Sequence, residues 1–155
     1  MEPPTGGAGI YARESEYLDR FVQLGEAGDR IIAISFPTQP DDGEDTHALL
    51  DRIDEYLSGV EDGFDDVTVG LTVPTAQRAV LEAVRNVPYG TDVTVEEVAG
   101  MTPDLSPDES DDLTAVREAL AANPVPLLVP DHRVRDGPSG APPPVERKLR
   151  AVEGL

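Results

Sequence analysis

The segment from Leu127 to Gly137, LLVPDHRVRDG, places an apolar run directly before acidic, imidazole and guanidinium side chains. Asp131 and His132 follow Pro130, so a carboxylate stands beside an imidazole at the end of a segment expected to be buried. Such a pair can position a water molecule for general-base chemistry. Neighbouring residues at the end of a strand need not point the same way, however. The alternative is that Asp131 accepts hydrogen bonds in a turn and His132 is structural.

The chain has 155 residues and contains no cysteine. Disulfides, thiolate metal sites and a cysteine nucleophile are therefore excluded together. His47 opens a predicted helix, and no second residue pairs with it as a metal ligand. We accordingly predict no metal and no cofactor.

No apolar stretch approaches the roughly 18 residues that a membrane span needs. The first residues, MEPPTGGAGIYARE, also lack the basic and then apolar order of a signal peptide. We therefore expect a cytoplasmic protein with no membrane partner, and a monomer.

The charge balance is strongly acidic, with 31 Asp and Glu against 12 Lys and Arg and a net charge of −19. Such a charge would suit a disordered chain, but 39% of the residues are apolar and they fall in periodic blocks. At molar salt the Debye length is only ~3 Å, so like charges scarcely repel. We interpret the surface as an adaptation to high salt; an ordinary acidic protein is the alternative.

The N-terminal half shows one hairpin and one helix. Residues 17–37 predict two strands around a turn at Gly25–Asp29, after a frayed segment at 1–9. Residues 47–57 place leucines and Ile53 on one helical face. An acidic linker follows, and we predict a domain boundary there, giving domains 1–70 and 71–155.

The C-terminal half predicts three helices followed by a strand. The first begins at Thr75 as its N-cap, and the second, at 94–101, has the capping-box spacing of Thr94 and Glu97. The third covers 112–124. An apolar strand and a basic tail complete the order of a winged helix-turn-helix.

Two C-terminal motifs resemble one family. NPVPLLVPDHRV (123–134) is similar to the pattern Asn-Pro-x-Pro-x-x-x-Pro-Cys-His-Arg-Val of the O6-alkylguanine-DNA alkyltransferases, and AQRAVLEAVRNVPYG (76–90) resembles their preceding helix and Pro-Tyr-Gly turn. DRIIAISFP and LLDRIDEYLSG are similar to the family's N-terminal domain. The resemblance implies an α+β fold, with a small ribonuclease-H-like sheet domain before the winged helix-turn-helix.

The resemblance also implies a chemistry. These proteins bind the minor groove of DNA, flip out the damaged guanine and move its alkyl group onto their own cysteine thiolate. Carried over by position, Asp131 replaces that cysteine, His132 matches its activating histidine, and Asn123 matches the asparagine that braces the turn. Glu153 corresponds to the glutamate that orients the histidine, although the preceding loop is shorter here.

Other family positions have also changed. The family's tyrosine falls at Val95 and its base-extruding arginine at Thr114, while GPSGAPPP (137–144) replaces the glycine-rich loop of the lesion pocket. A carboxylate is a far poorer nucleophile than a thiolate, so we expect no alkyl transfer. The resemblance is closest in kind to the alkyltransferase-like members, which bind lesions without accepting the alkyl group. An enzyme using Asp131 and His132 remains a third hypothesis.

The charges leave the DNA partner open. Residues 104–118 carry six acids against Arg117 alone, whereas a helix entering a DNA groove usually carries cations. Arg133, Arg135, Arg147, Lys148 and Arg150 form the main basic stretch, which would grip phosphates or pair with the acidic remainder. We therefore keep two main hypotheses: a DNA-binding protein of the repair class, and a fold remnant that binds a protein partner. For the first, the DNA-contacting set is Thr114, Arg117, Arg133, Arg135, Arg147 and Lys148.

Overall fold

A computed structural model describes residues 9–40 and 44–155. It is an α+β fold in which a three-stranded antiparallel sheet and helix α1 precede a helical C-terminal half. The predicted frayed segment lies almost wholly outside the described residues. Within them, no helix is both long and apolar enough to cross a membrane.

The sheet has the order β1-β2-β3, formed by Gly9–Ser15, Arg20–Ala27 and Arg30–Ser35. The predicted hairpin is confirmed, but its turn is shorter than expected. Gly25 lies inside β2, at a bulge where an added Cβ would come 3.3 Å from that of Ala33. Strand β1 was not predicted, because its few apolar residues do not alternate clearly with polar ones.

Helix α1 covers Ala48–Leu57 and confirms the predicted helix. His47 is its N-cap, and the His47 Nδ1 atom accepts a hydrogen bond of 3.0 Å from the backbone N–H of Leu49. One face is buried, and it includes Tyr56, whose side chain is fully enclosed. This helix therefore brings a polar hydroxyl into the centre of the molecule.

The acidic linker is tied to the N-terminal half by one arginine. Arg52 of α1 donates to the carboxylates of Asp62 and Asp66 at 2.8–3.0 Å. Residue Val69 then forms a bridge to Ile31 of β3. Buried residues of both halves form a single hydrophobic cluster. The boundary at residue 70 remains a prediction.

Helices α2, α3 and α4 cover Thr75–Arg85, Val95–Met101 and Ser110–Ala121. The capping box of α3 is confirmed, since Thr94 and Glu97 bond to each other's backbone N–H groups. Thr75 is not an N-cap, however; that position is Pro74, and Thr75 is the first helical residue. Helices α3 and α4 pack together as the helix-turn-helix.

The predicted strand after α4 is wrong. Residues 124–130 form no strand: Leu127 has a positive φ of 82°, and Asp131–Arg133 form a 3₁₀ turn. Three prolines in this segment lack the N–H that a strand ladder needs. The basic tail contains a helix that was not predicted from the sequence, α5 at Pro143–Val152. Proline is well accommodated in the first turn of a helix.

Candidate functional site

Asp131 is completely buried in the 3₁₀ turn, and three donors surround its carboxylate. Ser139 Oγ donates to one oxygen at 2.5 Å, while Asn123 Nδ2 and the N–H of Gly140 donate to the other at 2.9 and 2.7 Å. The expected hydrogen-bonding role is confirmed. Burial raises the pKa of the Asp131 carboxyl, although these hydrogen bonds and nearby His132 oppose that shift.

Asn123 braces the turn between α4 and Asp131. Its Nδ2 also donates to the carbonyl of Val129 at 3.0 Å, and its Oδ1 accepts from the N–H of Val125 at 3.0 Å. The amide thus holds both ends of the irregular 123–131 segment. In this way the end of α4 sets the position of the Asp131 carboxylate.

His132 and Glu153 lie next to each other in a second buried cluster. His132 Nε2 lies 2.6 Å from Glu153 Oε2, and both side chains are fully buried. The hydroxyl of Tyr56 on α1 donates to the same carboxylate oxygen and lies 3.3 Å from His132 Nε2. The predicted proximity of Glu153 and His132 is therefore present, at the C-terminal end of α5.

Arg133 completes this cluster from the other side. Its Nε and Nη2 donate to the two oxygens of Glu153 at 2.8 and 3.0 Å, and its Nη1 donates to the carbonyl of Val87 at 2.7 Å. The N–H of Gly90 adds a bond of 2.9 Å to Glu153. Burial alone would raise the pKa of the Glu153 carboxyl, but the bonds from His132 and Arg133 lower it far below its ordinary value.

The His132 ring has one nitrogen in use and one without a partner. Within residues 9–40 and 44–155, Nδ1 is buried and makes no hydrogen bond. The contacts of the ring with Glu153 and Tyr56 are both made at Nε2. No hydrogen bond between the described side chains joins Asp131 to this ring, so the carboxylate and the imidazole do not form a catalytic pair. Nor do the described residues include a cluster of three or more potential metal ligands.

The expected DNA-contacting residues fall into two groups. Arg133 is only 3% exposed and is bound to Glu153, so its guanidinium is not presented to solvent. Arg135 pairs with Asp92 at 3.2 Å, and Lys148 donates to the carbonyl of Tyr17 at 2.7 Å. The exposed members are Thr114, Arg117, Arg135 and Arg147, with Lys148 partly buried.

The surface of α4 itself is acidic. Asp111, Glu109 and Glu118 are exposed on or beside this helix, and Asp104 and Asp108 are exposed in the preceding loop. Val95, at the family's tyrosine position, is buried in the first turn of α3. The helix that would enter a groove therefore presents more carboxylates than cations.

Sequence reasoning missed three contributors to the site. Tyr56 gave no signal, because a tyrosine on the apolar face of a helix is usually a core residue. Ser139 and Gly140 lie in a loop without periodicity, and only a Ser-Gly pair between prolines marked a turn there. The loop at 139–140 approaches Asn123 so closely that only glycine fits there. A Cβ added at Gly140 would lie 2.4 Å from the carbonyl oxygen of Asn123.

Comparisons with known proteins support the family resemblance seen in the sequence motifs. The sequence profile described as "6-O-methylguanine DNA methyltransferase, DNA binding domain" matches residues 75–152. A methylated-DNA–protein-cysteine methyltransferase of Methanopyrus kandleri is 38% identical over 119 residues, which cover 75% of this chain and 86% of that protein. The protein of that name from Metallosphaera sedula is 34% identical, covering 68% and 66% respectively.

Solved structures show the same fold. An OGT variant from Mycobacterium tuberculosis has a TM-score of 0.71 at 21% identity, covering 95% of this chain and 91% of that one. The structure of Mycobacterium tuberculosis OGT in complex with DNA gives 0.68 at 22% identity, covering 94% and 91%. An O6-methylguanine-DNA methyltransferase from Pyrococcus kodakaraensis gives 0.67 at 21%, covering 94% and 99%.

Proposed function

This chain belongs to the 6-O-methylguanine DNA methyltransferase family, and from that premise we propose that it binds duplex DNA, alkylated or not, without accepting an alkyl group. One observation supports the absence of alkyl transfer. The residue at the acceptor position is Asp131, whose buried carboxylate already accepts three hydrogen bonds. A DNA-binding protein of the repair class, rather than a transferase, is the function that this arrangement supports best.

The environment of Asp131 disfavours nucleophilic attack. An attacking carboxylate must direct a lone pair at the alkyl carbon, and here Asn123, Ser139 and Gly140 engage both oxygens. Hydrogen bonds to an ionised oxygen also stabilise the ground state and lower its nucleophilicity. The carboxylate therefore serves to join α4, the 3₁₀ turn and the loop at 139–140.

Three observations support the DNA partner. Helices α3 and α4 form a helix-turn-helix, the DNA-binding profile covers both, and a structural neighbour was solved with DNA. A duplex would meet the exposed Thr114 and Arg117 of α4, and Arg135, Arg147 and Lys148 would contact phosphates. Arg133 is not part of this proposed set, because its guanidinium binds Glu153.

The acidic surface of α4 favours a second candidate. Carboxylates on a groove-entering helix repel phosphates, and screening by salt weakens this repulsion without supplying attraction. If DNA binding has been lost, the chain is a fold remnant that acts as a protein-interaction or regulatory module. The exposed acids at Asp111 and Glu118 are the observation behind this alternative.

We further propose that the acidic surface is an adaptation to a salt-rich cytoplasm. The net charge of −19 would repel itself strongly in dilute buffer, whereas short hydrated carboxylates keep a protein soluble at molar salt. The scarcity of lysine points the same way, since Lys148 is the sole lysine.

Intact-protein mass spectrometry tests the absence of transfer. The protein is incubated with a duplex containing O6-methylguanine, beside an active family member as positive control. We expect an unchanged mass. A gain equal to one CH₂ group, lost in Asp131→Ala, would show that Asp131 is an acceptor and would overturn the proposal.

A further inference from the structure

Only some of the Lys and Arg side chains of this acidic protein are paired with a carboxylate. Among residues 9–40 and 44–155, five of the twelve Lys and Arg side chains form ion pairs with carboxylates, namely Arg13, Arg52, Arg133, Arg135 and Arg150. Three of those without an ion pair, Arg30, Arg78 and Arg85, line two cavities that share Glu82. In a chain with 31 acids, three arginines that line cavities without forming an ion pair require an explanation.

Arg85 is the most constrained of the three. Its Nη2 donates to the backbone carbonyls of Phe64, at 3.0 Å, and of Val67, while its Nε is buried without a partner among the described residues. Burial lowers the pKa of this guanidinium, only partly opposed by Asp65 and Asp66, neither of which forms an ion pair with it. A buried donor without an acceptor is costly, so an incoming acceptor would be favoured here.

The two cavities both have residues of α2 in their linings. The larger, about 470 Å³, is lined by Arg85, Asn86, Tyr89 and Arg133 together with Asp65 and Glu82. The smaller, about 180 Å³, is lined by Arg30 and Arg78 and shares Glu82. Small-molecule sites in proteins typically enclose roughly 300–1,000 Å³, so the larger cavity has a suitable size.

We propose that this α2 groove, lined by Arg30, Arg78, Arg85 and Tyr89, binds a small molecule that carries one phosphate or carboxylate group. Planar guanidinium groups match both anions. Glu82 and Asp65 stand in the same groove and would repel a second charge, so a single anionic group fits better than the regular phosphates of a nucleic acid. The ligand's remaining, uncharged part would lie toward Tyr89 and Asn86.

The site is separate from the proposed DNA-binding surface. None of Thr114, Arg117, Arg135, Arg147 and Lys148 lines either cavity. Arg133 is the one link, because it lines the larger cavity while binding Glu153. Loss of DNA binding would therefore leave this inference standing, and its failure would leave the DNA proposal standing.

Nuclear magnetic resonance of arginine side chains tests the groove directly. The full-length protein is titrated with inorganic phosphate, and in a second series with acetate, at constant ionic strength in KCl. We expect the Arg85 Nε–H signal to shift and saturate with at least one of the two anions. Arg78→Gln should weaken that binding about tenfold, as loss of one charge-assisted hydrogen bond predicts.

Arg20→Gln is the matched control, since it removes an arginine of β2 that lines neither cavity and donates to the carbonyl of Phe36. It should leave the titration unchanged. A shift that grows linearly without saturating for both anions, or one that both variants weaken equally, would show general screening and overturn the proposal. Unchanged backbone spectra of the variants establish that each is folded.

Discussion

The Tyr56 hydroxyl of α1 donates a hydrogen bond to the Glu153 carboxylate at the end of α5, inside a fully buried cluster. These residues are 97 positions apart, so the bond joins the two halves of the chain at the candidate site. The same carboxylate is held by His132 and Arg133. The orientation of the His132 ring therefore depends on the packing of the N-terminal half against α5.

Replacing Tyr56 by Phe should lower the free energy of unfolding by about 1 kcal/mol. The ring keeps its packing, and only the hydroxyl that bonds to Glu153 is lost. Chemical unfolding at constant salt measures this difference. Tyr17→Phe is the control, because Tyr17 is 42% exposed and its hydroxyl makes only a 3.2 Å bond to a backbone carbonyl. An equal loss of unfolding free energy in both variants would contradict a stabilising role for the buried bond between Tyr56 and Glu153.

Glu153→Gln should cost about 3–5 kcal/mol at neutral pH, because it leaves Arg133 buried without its anion. The folded-state pKa of Glu153 is lowered, so its contribution is present above the unfolded value of about 4.3 and is lost as the pH falls through the folded value. The stability difference between wild type and variant should therefore narrow below about pH 4.3. Chemical unfolding of both proteins at a series of pH values measures this stability difference. A difference that stays constant down to acid pH would contradict the lowered pKa of Glu153.

Asp131→Ala should lower the free energy of unfolding by about 1–3 kcal/mol, because the donors at Asn123, Ser139 and Gly140 lose their acceptor. Since burial raises the pKa of Asp131, its stabilisation is largest below the unfolded pKa and declines as the pH rises through the folded value. Asp131→Asn should lose less than the alanine variant, particularly at higher pH. Glu118→Ala, at an exposed position of α4, is the control and should be nearly neutral.

Stability should rise between dilute and molar KCl. The Debye length falls from ~10 Å at 0.1 M to ~3 Å at 1 M, which suppresses repulsion within a chain of net charge −19. Urea unfolding at several KCl concentrations measures the change. Sucrose is the control, since it favours compact states without screening charge. A stability that does not vary with KCl, or that falls, would contradict the high-salt interpretation.

Local signals in the sequence were sufficient to predict helices α1 to α4. Thr94 and Glu97 predicted a capping box that depends only on residues three positions apart. The segment at Leu127 could not be read in this way, because its apolar run suggests a strand while its prolines and tertiary bonds to Asn123 impose an irregular path. Helix α5 was not predicted, because it begins with Pro143 and Pro144 and follows a proline-rich loop.

The candidate site was only partly predictable for the same reason. The family motif placed Asp131, His132 and Asn123 near one another, since they are close along the chain. Tyr56 reaches His132 and Glu153 only through the packing of α1 against α5, a long-range contact that no local pattern encodes.

The most direct test of the central claim is fluorescence anisotropy at about 1 M KCl, where long-range repulsion is screened. A labelled duplex, with or without one O6-methylguanine, is titrated with wild type, Arg147→Gln and, as control, Arg20→Gln, which alters a sheet residue bonded to the carbonyl of Phe36. Saturable binding by wild type that Arg147→Gln weakens and Arg20→Gln does not is the predicted result. No binding to either duplex by protein that is folded in the same buffer would contradict the account and favour a protein partner.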